Sequence, residues 1–118
     1  MRALADAARY TGESGLAEKS LQTLRQRFGN TGQGTAAAFL LGRLSESRGQ
    51  LGDADRWYQT YLQEAPRGQF AADALAGRMR AVAALQGHTA GRPLALEYLR
   101  KYPDGVQAPA ARKLSGFD

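Results

Sequence analysis

The sequence predicts an all-α fold of stacked helix pairs, on three observations. A register of 37 residues is written three times: Leu24, Tyr61 and Tyr98 stand at one offset, Leu21, Tyr58 and Ala95 at a second, Ala17, Ala54 and Gly91 at a third, and Gly29, Pro66 and Pro103 at a fourth. Apolar residues between these marks recur at three- and four-residue steps, the period of a helix rather than a strand. Short segments rich in Gly and Pro separate them, and connections of that length join antiparallel neighbours. A repeat of this size marks supersecondary units that bury their apolar faces against one another. The predicted architecture is three antiparallel helix pairs, in repeats over about 1–33, 34–70 and 71–105, followed by a short closing helix over about 106–115.

The first helix is predicted over about 2–11, stopped by Thr11-Gly12. Ser14 caps the second, over 15–28, whose apolar stripe is Leu16, Leu21, Leu24 and Phe28. Residues 29–34 read as a Gly-rich linker, after which Thr35 caps a third helix over 36–49, with Ala37, Leu40, Leu41 and Leu44 on one face. Gly49 and Gly52 bracket a tight turn. Asp53 begins a fourth helix, over 53–65, with Ala54, Trp57, Tyr58, Tyr61 and Leu62 inward, and Pro66 ends it, since the residue before a proline is biased away from the helical region. The fifth, over 69–86, carries Phe70, Leu75, Met79, Val82 and Leu85 and is closed by Gly87-His88. Thr89 caps the sixth, over 90–102, with Pro93 in its first turn, where proline is tolerated. The last helix has Pro109 early and Ala110, Ala111 and Leu114 inward.

With 118 residues the chain has room for one domain or a short array. It has no Cys, which excludes a disulfide framework and a thiolate metal site. No apolar run approaches the roughly 20 residues needed to span a bilayer. The opening Met1-Arg2-Ala3-Leu4-Ala5-Asp6 is already helix-like and lacks the charged and long apolar regions of a signal peptide, so the chain reads as a piece of a longer protein. The net charge of +5 comes mostly from scattered Arg, which favours acidic partners.

Groups suited to catalysis are sparse. The single His, His88, sits in a Gly-flanked turn with no carboxylate partner in sequence, and Asp53 and Asp55 serve a helix start. Gly29, Gly32 and Gly34 follow a helix rather than a strand, and no Gly-Lys-Ser or Gly-Lys-Thr follows them, so they form no phosphate loop. The expectation is a non-enzyme with no metal, cofactor or small-molecule substrate.

The second unit resembles a tetratricopeptide repeat (TPR). Leu41-Gly42 matches the Leu-Gly step of that family's first helix, Ala54 the small residue of the second, Tyr58 the aromatic after it, and Pro66 the closing proline; Tyr61 falls where a small residue is usual. In the first unit Leu4, Ala5, Ala17, Leu21 and Leu24 fall at the same offsets, and the third unit is a looser fit that ends on Pro103. The resemblance implies a right-handed α-solenoid. The period departs from the family's usual value of about 34; the three extra residues fit the Gly-rich linker after Gly29, and after Pro66 they lengthen the fifth helix or its following turn.

In that family the first helices of the repeats line a concave groove in which peptides lie. By position the resemblance implies Arg2, Asp6, Arg9 and Tyr10 from the first helix, and Phe39, Arg43, Glu46 and Ser47 from the third. From the fifth it implies Asp73 and Arg80, which face the groove in either register. Arg43 and Arg80 are the implied anchors for a carboxylate or acidic side chain. The Asn and Lys of chaperone-tail clamps are absent. The implied function is a noncatalytic protein-interaction scaffold that takes a protein or an acidic peptide. The endings Tyr61-Leu62 to Gly68 and Tyr98-Leu99 to Gly105 are similar to those of TPR modules in bacterial envelope proteins, which favours a periplasmic setting. A second expectation is self-association through exposed end faces, with Leu4, Ala7 and Ala8 at one end or the last helix at the other pairing or swapping with a second copy. Nucleic-acid binding along phosphates ranks third, because no basic cluster with interleaved aromatics is present.

Overall fold

The computed structural model describes residues 2–29 and 31–116, with side chains described from Gly15 onward. Six helices follow one another: α1 (Arg2–Phe28), α2 (Gly32–Ser47), α3 (Leu51–Glu64), α4 (Ala71–Gln86), α5 (His88–Lys101) and α6 (Ala108–Ser115). No strand occurs among the described residues. Each helix packs on the next, and α2 also touches α4. The pairs α2/α3 and α4/α5 therefore stand beside each other with their first helices adjacent. Gly49, at φ +73, and Gly87, at φ +97, turn the chain within the two pairs, a backbone conformation that favours glycine.

The turn between pairs is built twice in the same way, 37 residues apart. The Tyr61 hydroxyl accepts the backbone N–H of Phe70 at 2.9 Å, and the Tyr98 hydroxyl accepts that of Gln107 at 3.1 Å. Gly68 N–H donates to the Ala65 carbonyl at 2.9 Å, and Gly105 N–H to the Tyr102 carbonyl at 3.0 Å. A Cβ at either glycine would lie 2.3 Å from the tyrosine oxygen, so glycine is needed for space. Tyr61 and Tyr98 are almost wholly buried. Each anchors a core cluster with two alanines of the next helix, Ala71 and Ala74 around Tyr61, Ala108 and Ala111 around Tyr98. Leu62 touches both clusters and joins them. By this register α6 sits on α5 as α4 sits on α3.

Within the first cluster Phe39 stacks on Phe70, with ring centroids 4.5 Å apart and planes 4° from parallel. Tyr58, fully buried, lies between two glycines: a Cβ on Gly42 of α2 or on Gly77 of α4 would come within 2.6 or 2.3 Å of its ring. Two neighbouring helices thus approach one aromatic ring because neither presents a side chain there. The small residue expected at Gly42 has this role, and Gly77 shares it.

The junction between α1 and α2 uses a different device, because Leu24 stands at the tyrosine offset and has no hydroxyl. Arg25, one residue on, donates to the Gly34 carbonyl at 3.0 Å and to the Gly29 carbonyl at 3.3 Å. Its guanidinium also forms a two-pronged pair with Glu64 at 2.7 and 2.8 Å. The Thr35 hydroxyl donates to the same carboxylate at 2.7 Å.

Several boundaries differ from the expectation. Residues 2–28 form one helix, not two separated at Thr11-Gly12. An internal glycine costs a helix only about 1 kcal/mol relative to alanine and stops it only where the backbone turns, as it does at Gly49. The helix cap before α2 is Thr31, whose hydroxyl accepts Gly34 N–H; Thr35 is a helical residue bonded to Glu64. Helix α3 begins at Leu51 rather than Asp53, and α5 at His88 rather than after Thr89, which moves Pro93 past the first turn. The proline withholds an N–H from the Thr89 carbonyl, and both residues are exposed to water. Helix α4 has 16 residues, as α2 does, and the turn after it is Gly87 alone, while the tyrosine-locked connections 65–70 and 102–107 have six residues each. Tyr61 is accommodated by the space at Gly68. Leu16, Phe28, Leu40 and Leu85, assigned to inward stripes, are exposed.

Replacing Tyr61 by Phe strands the Phe70 N–H, with an expected loss of about 1–2 kcal/mol in urea unfolding. Gly68→Ala is expected to cost about 1–3 kcal/mol by overpacking against the hydroxyl. The cost of Gly68→Ala should be smaller in the Tyr61→Phe background than in the parent chain, a coupling that a double-mutant cycle measures.

Candidate functional site

The face where α2 and α4 lie side by side forms an open groove of about 590 Å³, lined by Phe39, Arg43, Glu46 and Ser47 from α2, Asp73 and Arg80 from α4, and Gln107 from the turn before α6. Six of the residues expected from the sequence, Phe39, Arg43, Glu46, Ser47, Asp73 and Arg80, therefore meet on one surface. The side chains of Arg2, Asp6, Arg9 and Tyr10 lie outside the described residues. Gln107 was not expected; its place 37 residues after Phe70, at the N–H bonded by the tyrosine, is the sequence signal that finds it.

These residues have different parts. Phe39, 2% exposed, belongs to the core and gives the groove its floor, held by the Phe70 stack. Glu46 joins three helices. Its Oε2 accepts Arg80 Nε at 2.8 Å, and its Oε1 accepts Arg80 Nη2 at 3.1 Å and the Tyr58 hydroxyl at 2.6 Å. Arg80 is thus engaged by the protein itself and is not a spare anchor, contrary to the expectation. The pairing is possible because Gly77 lets α4 close on Tyr58, which brings Arg80 level with Glu46. Arg43 and Asp73 are exposed, and neither makes a side-chain hydrogen bond or ion pair among the described residues. Among the described residues the groove therefore presents Arg43 and Asp73 as its unpaired charges, beside the matched Glu46–Arg80 pair.

Burial opposes the charge on Glu46, but the hydrogen bonds from Arg80 and Tyr58 outweigh it and hold the carboxyl below its ordinary range. Burial, and then the Glu46 carboxylate, push the Tyr58 hydroxyl up, so it stays a donor. Hydrogen bonding from Arg25, reinforced by Thr35, overcomes burial and lowers Glu64 likewise. Outside the groove, Arg78 Nε pairs with Asp55 at 2.7 Å and fastens α4 to α3. His88 is exposed at the first position of α5. Among the described residues no group of His, Asp and Glu side chains could hold a metal ion, and no helix is long and apolar enough to cross a membrane. No protein-family model, curated protein or solved structure matches the chain.

The two lowered carboxyls predict the acid side of the stability curve. Each binds fewer protons in the folded chain than in the unfolded one, where a Glu titrates at about 4.3. Their stabilisation is present above that pH and is lost as pH falls through the folded values. Urea midpoints measured from pH 7 to pH 3 should fall below about pH 5. Glu46→Gln and Glu64→Gln should each lower the midpoint at pH 7 and flatten this descent.

Proposed function

We propose that the chain is a noncatalytic protein-interaction module of the TPR type, in which an acidic peptide or protein segment lies along the α2/α4 groove. The observation that supports this reading is the exposure of Arg43 on a groove whose other arginine, Arg80, is held by Glu46. A matched floor leaves Arg43 as the residue able to make a two-pronged contact with a carboxylate. Asp73 across the groove would favour a cationic group in the same ligand and so set its direction. The open groove is suited to an extended chain rather than to enclosing a small molecule. A periplasmic or envelope setting in a bacterium rests on the similarity of the two Tyr-Leu endings alone.

Binding of fluorescent acidic peptides tests the reading. Arg43→Glu should weaken binding at least about tenfold, as expected for loss of a charge-assisted bond, and Arg43→Lys should restore part of it. Unchanged binding by Arg43→Glu would move the site off the groove. Arg80→Glu is a poor probe, because it sets two carboxylates against each other inside the fold.

A further inference from the structure

The first unit has the sequence of a helix pair and the shape of one helix. Gly12 lies 37 residues before Gly49, which turns the chain between α2 and α3, and Gly15 lies 37 before Gly52 in the first turn of α3. Leu4-Ala5 lie 37 residues before Leu41-Gly42, which pack in α2. Yet α1 runs without a break from Arg2 to Phe28, so residues 2–11 cannot fold back on 16–28 of the same helix. The cost appears at the matched positions. Ala54 and Tyr58 of α3 are wholly buried beneath α2, as Ala95 is in the next unit, whereas Ala17 is exposed and Leu21 only half-buried. Leu16 of α1, 68% exposed, and Leu40 of α2, 46% exposed, are further uncovered apolar side chains on the two neighbouring helices.

We infer that a second copy of the chain covers this surface by exchanging residues 2–11. Ala17 and Leu21 stand at the positions that α2 covers on α3, and residues 2–11 are the segment at the register of α2. The α2/α3 and α2/α4 contacts already in the fold thus provide the template for what is missing one unit earlier. A straight α1 carries that segment away from its own chain and presents it to a partner, whose segment returns the same contacts. The arrangement is a two-fold exchange through a hinge at Gly12–Gly15, in which each chain gives and receives one helix. Its test reads association of the chain with itself, without any peptide, so its failure is distinguishable from a failure of peptide binding.

Sedimentation equilibrium tests it. The parent chain should dimerise at micromolar concentration. Gly12→Ala with Gly15→Ala favours the straight helix and should tighten the dimer at least about tenfold. Glu13→Pro, which a turn accepts and a straight helix does not, should give a monomer. Leu40→Asp should weaken the dimer at least about tenfold with unchanged helical circular dichroism, since this side chain is exposed in the single chain. A parent chain that stays monomeric at high micromolar concentration would overturn the inference. So would a dimer indifferent to both the hinge and the Leu40 substitutions.

Discussion

The stacking of helix pairs depends on one hydrogen bond made twice, from a backbone N–H at the entry of a helix to a tyrosine hydroxyl on the helix before it. Tyr61 and Tyr98 fill the core with their rings and end in an oxygen that meets Phe70 or Gln107. A helix entry leaves backbone donors without helical partners, and here no side-chain cap serves α4 or α6. The tyrosine supplies the acceptor from the opposite side of the turn. This fixes where the next helix starts, and Gly68 and Gly105 keep the necessary space. Ala71 and Ala74, then Ala108 and Ala111, come down on the tyrosines as a result.

The groove inherits its geometry from that turn. With the start of α4 set, Gly77 meets the edge of the Tyr58 ring opposite the one that Gly42 meets, and Arg80 comes level with Glu46. A single carboxylate then ties α2, α3 and α4 together, and among the described residues of the groove the charges left over are on Arg43 and Asp73.

The repeat and the groove positions were legible because they depend on spacing. Asp73 and Arg80 fall on the α2/α4 face, and the two Tyr-Leu endings are visible as text. Their physical meaning was not. A tyrosine at a helix-core offset reads as filler until its oxygen is seen against an amide nine residues on. The partnership of Arg80 with Glu46 spans two helices, and no local pattern encodes a contact between residues 34 apart. The Arg25–Glu64–Thr35 cluster has no local signature for the same reason, and Thr35 resembles a cap because a hydroxyl before an apolar run is the usual cap signal. Phe39 lines the groove as its position implies, and its stack with Phe70, which no spacing reveals, ties it into the core as well.

The first unit shows how far a repeat pattern constrains a chain. Leu24 replaces the tyrosine, Arg25 takes over the junction, and the glycines that turn the chain at Gly49 lie inside a helix at their earlier register. Local sequence permits the turn and does not impose it; the tyrosine turns are imposed because ring, hydroxyl and glycine act together. The direct measurement is amide hydrogen exchange at Phe70 and Gln107. The account predicts that both exchange as slowly as core amides of α3 and α5, and with similar protection to each other. Exchange as fast as that of an exposed turn residue such as Arg67 would contradict it.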